Sequence, residues 1–396
     1  MRSCLLLVFL SVAVFGPGVQ GAKAQPAPAN TLRFDLALDK KTYEVGEPMV
    51  LTLRLTNSGN LPLKVPVSNE VTGRHDGYSI QLQNDEGETL KDPCHEYITL
   101  IHSLGGFETV EPGDSHTRDL LLNYRVPPLK PGKYTVKGTF QPRGESQKVQ
   151  AESADVPFRI VATPRAKLQK RVARLAEELR AGGDASRLAP LLGFTGHAGA
   201  ATPLIDLLYA EAEGAQVAAA QALLYLDKDT VKKSLLDSLR TRGPRDRMIY
   251  HLVVPLQAKP EEVTPLLVRW LEDKDGATRH AAVYGLGLSN GAKVPELLPL
   301  LELRLKDPVA RVRHGAAAAV GAYANAAALK ALKAVLHDPD PGVSEQATIA
   351  VGWIAAAAKP DSAVRKEAIE VLRDVVRSGG RPAEQATYWL GKVENK

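Results

Sequence analysis

The chain has 396 residues, of which 44% are hydrophobic and 5% aromatic, with a formal net charge of +5 and two cysteines. That length allows about two domains with ample core. The modest, mixed charge excludes the clustered basic surplus of a nucleic-acid binder, and two cysteines exclude a fold held together by disulfides.

Residues 1–24 read as an export signal. Arg2 supplies positive charge, residues 5–15 an apolar run, Gly16-Pro17-Gly18 a break, and Ala22-Lys23-Ala24 a small-residue cleavage site. The apolar run is about half of the ~20 residues that a spanning helix needs, and Cys4 precedes it, which argues against a lipid anchor. No later stretch is long and apolar enough to span a membrane. The expectation is a protein cleaved after Ala24 and released to the periplasm or the exterior. Cys94 is then the lone thiol, and such a thiol is more often buried and inert than reactive. Residues 25–31, with Gln25-Pro-Ala-Pro-Ala-Asn30, form a linker.

From residue 32 to about 163 the hydrophobic period is two. Met49, Leu51, Leu53 and Leu55 alternate with Val50, Thr52, Arg54 and Thr56; Tyr78, Ile80 and Leu82 share a face, as do Tyr134, Val136 and Phe140, and Val156, Phe158 and Ile160. Turn clusters such as Asn57-Ser-Gly-Asn60 and Glu111-Pro-Gly-Asp114 separate them. Seven or eight short strands at this spacing predict an antiparallel β-sandwich. Leu129-Lys-Pro-Gly-Lys-Tyr134 has the form of a tyrosine corner, in which the hydroxyl bonds backbone a few residues upstream. With Tyr43-Glu-Val-Gly-Glu-Pro-Met-Val-Leu-Thr-Leu-Arg-Leu-Thr-Asn57, it resembles the immunoglobulin-like domains typified by a bacterial intracellular proteinase inhibitor family. The shared motifs are structural, and no reactive loop matches.

Residues 164–396 change to helical periodicity. Residues 164–182 form a charged helical segment with Val172, Leu175 and Leu179 as its stripe, expected to cap the array, and about three irregular repeats follow. Then a clear unit recurs. Leu305-Lys-Asp-Pro-Val-Ala-Arg-Val-Arg-His-Gly-Ala-Ala-Ala-Ala-Val-Gly321 is echoed at 271–287 and 336–352, with Asp273, Asp307 and Asp338 spaced by 34 and 31 residues. Glu384-Gln-Ala-Thr repeats Glu345-Gln-Ala-Thr. Asp307 and Asp338 each precede a proline, which reads as a helix N-cap followed by Pro at the first helical position. Ala316, Ala319, Gly321, Ala347, Ala350 and Gly352 are small enough for helices to approach closely. Such pairs bury their apolar faces only by stacking into a solenoid. The unit resembles HEAT repeats, most closely the short bacterial HEAT-like repeats of the bilin-lyase type, by its Leu-x-Asp-x₄-Val-Arg-x₂-Ala-Ala pattern.

The resemblance implies an Asp–Arg ladder between repeats, made by Asp273, Arg279, Asp307, Arg313 and Asp338, with Ser344 departing where an arginine would stand. His280, His314, Glu345 and Glu384 fall in one column of successive repeats, which makes them the candidate binding strip. His314 lies two positions, roughly 200°, from Ala316. It is therefore expected to point away from the helix interface, and His280 likewise.

Other constellations carry less. Cys94-His95-Glu96 and His102 have the wrong spacing for a metal pair on a helix, and on a strand an odd gap sends 95 and 102 to opposite faces. Arg240, Arg242, Arg245 and Arg247 surround the turn Gly243-Pro244, either a solvated loop or an anion site. Gly285, Gly287, Gly291 and Lys293 lack phosphate-loop spacing, and no catalytic motif, metal site or cofactor site is present in the sequence. The leading reading is an exported, non-catalytic scaffold that binds a protein partner through its solenoid. The alternatives are inhibition of a hydrolase by the sandwich and, through the repeat resemblance, a bilin-lyase-like enzyme, which export would separate from a cytoplasmic substrate.

Overall fold

The computed structural model describes residues 31–68, 77–93, 105–141, 150–289 and 294–394. The chain has a β-rich N-terminal region followed by a helical repeat region. The strands are β1 (Leu32–Leu38), β2 (Thr42–Glu44), β3 (Val50–Asn57), β4 (Leu63–Ser68), β5 (Tyr78–Asn84), β6 (Gly105–Val110), β7 (Ser115–Leu121), β8 (Gly132–Phe140), β9 (Ala151–Glu152) and β10 (Val156–Val161). They form a sheet β1-β3-β7, a second sheet β2-β10-β8-β5 with β9 beside β8, and the ribbon β4-β6.

The alternation seen in the sequence is the reason for the layers. Leu51, Leu53 and Leu55 of β3 are fully buried, while Thr52, Arg54 and Thr56 point the other way. They join Phe34 and Leu120 in one core with Tyr78, Leu82, Val136, Phe140, Phe158 and Ile160 from the facing sheet. Gly138 interrupts the apolar face of β8 for a steric reason: a Cβ there would lie 2.7 Å from the Phe34 ring. The Tyr134 hydroxyl donates to the Lys130 carbonyl at 2.8 Å, closing the tyrosine corner. The sandwich departs from a wholly antiparallel plan at one ladder, because β2 pairs with β10 in parallel. The chain leaves the first sheet after Leu38 and joins the second at Thr42, so its two halves serve different sheets.

The helices are α1 (Arg165–Arg180), α2 (Ala185–Phe194), α3 (Ala201–Leu207), α4 (Glu213–Leu223), α5 (Lys228–Arg242), α6 (Asp246–Val253), α7 (Pro260–Val268), α8 (Gly276–Leu288), α9 (Leu298–Arg304), α10 (Ala310–Gly321), α11 (Ala326–Lys333), α12 (Pro341–Ala357), α13 (Ala363–Ser378) and α14 (Arg381–Glu394). The change of period at residue 163 is not where the chain divides into compact units. One unit comprises residues 1–200 and 221–227, and the other residues 201–220 and 228–396. Thus α1 and α2 pack with the sandwich. Lys167 and Arg171 of α1 pair with Glu44, and Arg171 also donates to the Val45 carbonyl. Phe194 stands edge-on between Tyr124 and Tyr225, whose hydroxyl donates to the Tyr124 carbonyl at 3.0 Å. The buried stripe of α1, Val172, Leu175 and Leu179, belongs to this first unit, where α1 packs on α2.

In the second unit α6, α8, α10, α12 and α14 stack in sequence as one layer, and α11 and α13 stack in the other. A glycine column sets how closely the first layer packs. A Cβ on Gly287 would lie 3.2 Å from Ala319, one on Gly321 2.6 Å from Ala350, and one on Gly352 2.2 Å from the Trp389 ring.

Candidate functional site

The Asp–Arg positions form two buried rungs. Arg279 Nε and Nη2 reach the two carboxylate oxygens of Asp307, each at 2.7 Å, and Arg313 holds Asp338 in the same bidentate way, again at 2.7 Å. Each arginine also donates to its own loop, Arg279 to the Asp273 carbonyl at 2.8 Å and Arg313 to the Asp307 carbonyl at 2.9 Å. Every rung thus ties one interhelix loop to the next. Asp307 and Asp338 do not cap helices, contrary to the Asp-Pro reading. The α12 cap is Asp340, with Pro341 after it, and the α8 cap is Asp275. Asp273, Asp307 and Asp338 stand two residues ahead of the cap position and accept the N–H of Asp275, Val309 and Asp340. Burial alone would raise the Asp307 carboxyl, but hydrogen bonds from Arg279 and Val309 outweigh it and hold it low. At Ser344 the hydroxyl turns back to the Pro341 carbonyl and no third rung forms.

The proposed strip is not uniform. Thirty-four residues before His280 the same column holds Asp246, which the sequence reading missed although the spacing marks it. His280 Nδ1 lies 3.1 Å from Asp246 Oδ1, and the imidazole lies nearly parallel to the Tyr284 ring, 10° between planes at 6.3 Å. Its side chain is only 12% exposed, so the expectation that it points away from its neighbours fails. The imidazole lies against Asp246 at the start of α6, a contact between neighbouring repeats that its register relative to the alanines does not reveal. His314, by contrast, is exposed. Partial burial and the neighbouring His280 together outweigh Asp340 and Glu345 and lower its pKa. Glu345 accepts from Gln385 at 3.1 Å, with Arg381 at 3.9 Å, and Glu384 is exposed.

Four and eight residues beyond this column the same helix faces carry mostly apolar and aromatic side chains. The first of these rows reads Tyr250, Tyr284, Ala318, Ile349 and Tyr388, and the second includes Leu288, Ala322, Trp353 and Lys392. Tyr388 is 54% exposed and Trp353 37%, on adjacent helices of one layer. The Lys392 ammonium lies 5.3 Å from the Tyr388 ring centre. The upstream half of the face is closed by its own ion pairs, and the downstream half is open.

The basic cluster at the α5–α6 turn is internally matched. Arg240 pairs with Asp237, Arg242 with Asp206, Arg247 with Glu213, and Arg245 donates to Thr278 Oγ1. Arg242 also lies 3.8 Å over the Tyr209 ring. This satisfied arrangement disfavours an anion site there. Gly285 and Gly287 serve helix packing, and Gly291 and Lys293 lie outside the described residues, as do Cys94, His95, Glu96 and His102. Among the described residues no three His, Cys, Asp or Glu side chains are placed to hold a metal ion, and no helix is long and apolar enough to cross a membrane.

Residues 245–320 and 297–373 match the family of HEAT repeats, so the C-terminal region carries such repeats. No curated protein matches the chain. Among solved structures, a designed armadillo repeat protein is 21% identical, covering 58% of this chain and 94% of its own, with a TM-score of 0.31. An engineered protein is also 21% identical over 57% of this chain and 96% of its own, with a TM-score of 0.30. Spo0M, a sporulation control protein of Bacillus subtilis, is 18% identical over 38% of this chain and 56% of its own, with a TM-score of 0.22.

Proposed function

We propose that this protein is an exported, non-catalytic scaffold whose helical repeats bind a partner protein, and that the contact surface is the open face of α12 and α14. The observation that carries the reading is the exposure of Trp353 and Tyr388 on adjacent helices, bordered by His314, Glu345 and Glu384. Large aromatic side chains left in water are what interface centres use, with a polar rim around them. A repeat array offers this face preformed, so binding spends little on ordering it. Export rests on the features of residues 1–24, and the partner class on the repeat architecture.

A photo-crosslinking amino acid at Tyr388 tests the surface, with Leu303, 56% exposed on α9, as the control position. The crosslinked protein is identified and purified, and its affinity is measured for the wild type and for Tyr388→Ala. A loss of tenfold or more with an unchanged melting temperature supports the surface. Crosslinking from Leu303 alone, or equal affinity of the variant, defeats it.

A further inference from the structure

The outer face of the β8–β10 ladder carries a charge arrangement that the fold does not need. Phe158 and Tyr134 are opposite each other and stack in the core with centroids 5.7 Å apart. Strand alternation then sends the next pair, Arg159 and Lys133, to the outer face, again directly opposite each other. Side chains so placed have Cβ atoms about 4.5–5.5 Å apart, and like charges there destabilise a sheet. Both are exposed, and among the described residues neither makes an ion pair.

Elsewhere this same sheet supplies counter-ions. Lys137, four residues along β8 on the same face, meets Glu152 of β9 at 2.8 Å. The pair opens onto a groove of about 440 Å³ lined by Asp85, Thr135 and Pro157 among others, and Asp85 is the one carboxylate in that lining beside Arg159 and Lys133. That volume lies in the range of small-molecule sites, roughly 300–1,000 Å³.

We propose that this groove binds a phosphate monoester, with Arg159 and Lys133 on the phosphate. A doubly charged oxyanion between them turns the repulsion into two attractions. The guanidinium offers a fork matched to phosphate oxygens and the ammonium a point charge. A lone carboxylate ligand would offset only one of the two cations. The lining beyond the two cations, Asp85, Thr135 and Pro157, leaves room for an organic portion on the ligand. The Asp85 carboxylate favours a hydroxyl donor on that portion and disfavours a second anion. This site lies in the β-rich unit and is independent of the scaffold reading.

The test uses the full-length protein at low salt, with glycerol 3-phosphate as the probe and glycerol as its uncharged control. Glycerol 3-phosphate is expected to raise the melting temperature in a saturable way while glycerol does not. Arg159→Gln and Lys133→Gln should each weaken binding at least tenfold, and Lys64→Gln, an exposed cation on β4, should leave it unchanged. Without ligand, the Arg159 and Lys133 variants should melt at or above the wild-type temperature, because each removes a repulsion. The proposal is overturned if glycerol 3-phosphate gives no saturable shift, if the shift survives in both variants, or if either variant melts lower without ligand. Saturation by inorganic phosphate with equal affinity would overturn the organic portion of the ligand.

Discussion

Replacing Arg279 with methionine removes the guanidinium while keeping most of the stem. It leaves the Asp307 carboxylate, whose side chain is 2% exposed, with the Val309 N–H and without its two guanidinium donors. The carbonyls of Asp273 and Lys274 lose a donor as well. Stripping one partner from a buried ion pair costs about 3–5 kcal/mol, since the remaining charge stays desolvated. Arg247→Met is the control, because its partner Glu213 is 82% exposed and such pairs are worth at most about 1 kcal/mol. Urea denaturation measures the loss, and hydrogen exchange locates it, since repeat arrays open locally. Exchange should rise first at the 305–309 loop and the start of α10. Adding Asp307→Asn to Arg279→Met should cost less than the two single changes together, as expected of coupled neighbours. An Arg279→Met loss no larger than that of Arg247→Met would refute the buried rung as the clamp between repeats.

Gly352→Ala should destabilise by about 1–3 kcal/mol, the usual penalty of overpacking, because its Cβ falls 2.2 Å from Trp389; a melting temperature equal to wild type would contradict that contact. Burial lowers the His251 pKa from 6.5 to about 4, and its Nε2 is enclosed without a partner. As the pH falls from 6.5 toward 4 the unfolded chain takes up a proton that the folded chain refuses. Stability should therefore drop by on the order of 3 kcal/mol over that window, and His251→Phe should flatten the slope measured by denaturation at several pH values. Tyr134→Phe removes the bond to the Lys130 carbonyl and should cost about 1 kcal/mol, so unchanged stability would argue against the corner. Amino-terminal sequencing of the mature protein should begin near Gln25, and an intact Met1 on a cytosolic protein would defeat export.

The two-residue period of β3 and the spaced repeats of α8, α10 and α12 were legible because burial is what those patterns encode. Asp307 was legible as a repeat position but not in its role. An Asp-Pro dipeptide favours a cap locally, and the stronger pull came from Arg279, 28 residues earlier in sequence and in contact only once helices stack. The change from strands to helices near residue 163 was legible, but the division into compact units was not. Periodicity changes where strands give way to helices, whereas compactness follows packing, and Phe194 and Tyr225 pack on Tyr124 of the β-rich region. His280 shows the same limit at the candidate site, since its partner Asp246 is recognised only by carrying the 34-residue spacing one repeat upstream.

Within the repeats, the rows that pack and the rows that face water obey different rules. Gly287, Gly321 and Gly352 keep one residue type because a Cβ would strike the next helix, and Ala319 and Ala350 are small opposite Gly287 and Gly321. Trp389 breaks that row and makes Gly352 the most constrained glycine of the three, with the indole lying where a methyl group would go. The exposed rows hold no such pattern: histidine gives way to glutamate from His314 to Glu345, and Ala318 is followed by Ile349 and then Tyr388. Packing supplies no reason for a tyrosine in water at the end of that series, since surface positions tolerate most side chains within about 0.5 kcal/mol. The departure at Trp389 fixes how α14 sits on α12, and Tyr388 stands edge-on to that indole at 5.5 Å, 85° between planes. A rigid anchor behind an exposed aromatic is the arrangement that spares a binding surface the entropy of ordering its own side chain. Trp389 is thus a local departure from the row of small residues, and the exposed Tyr388 beside it is the residue on which the proposed contact surface rests.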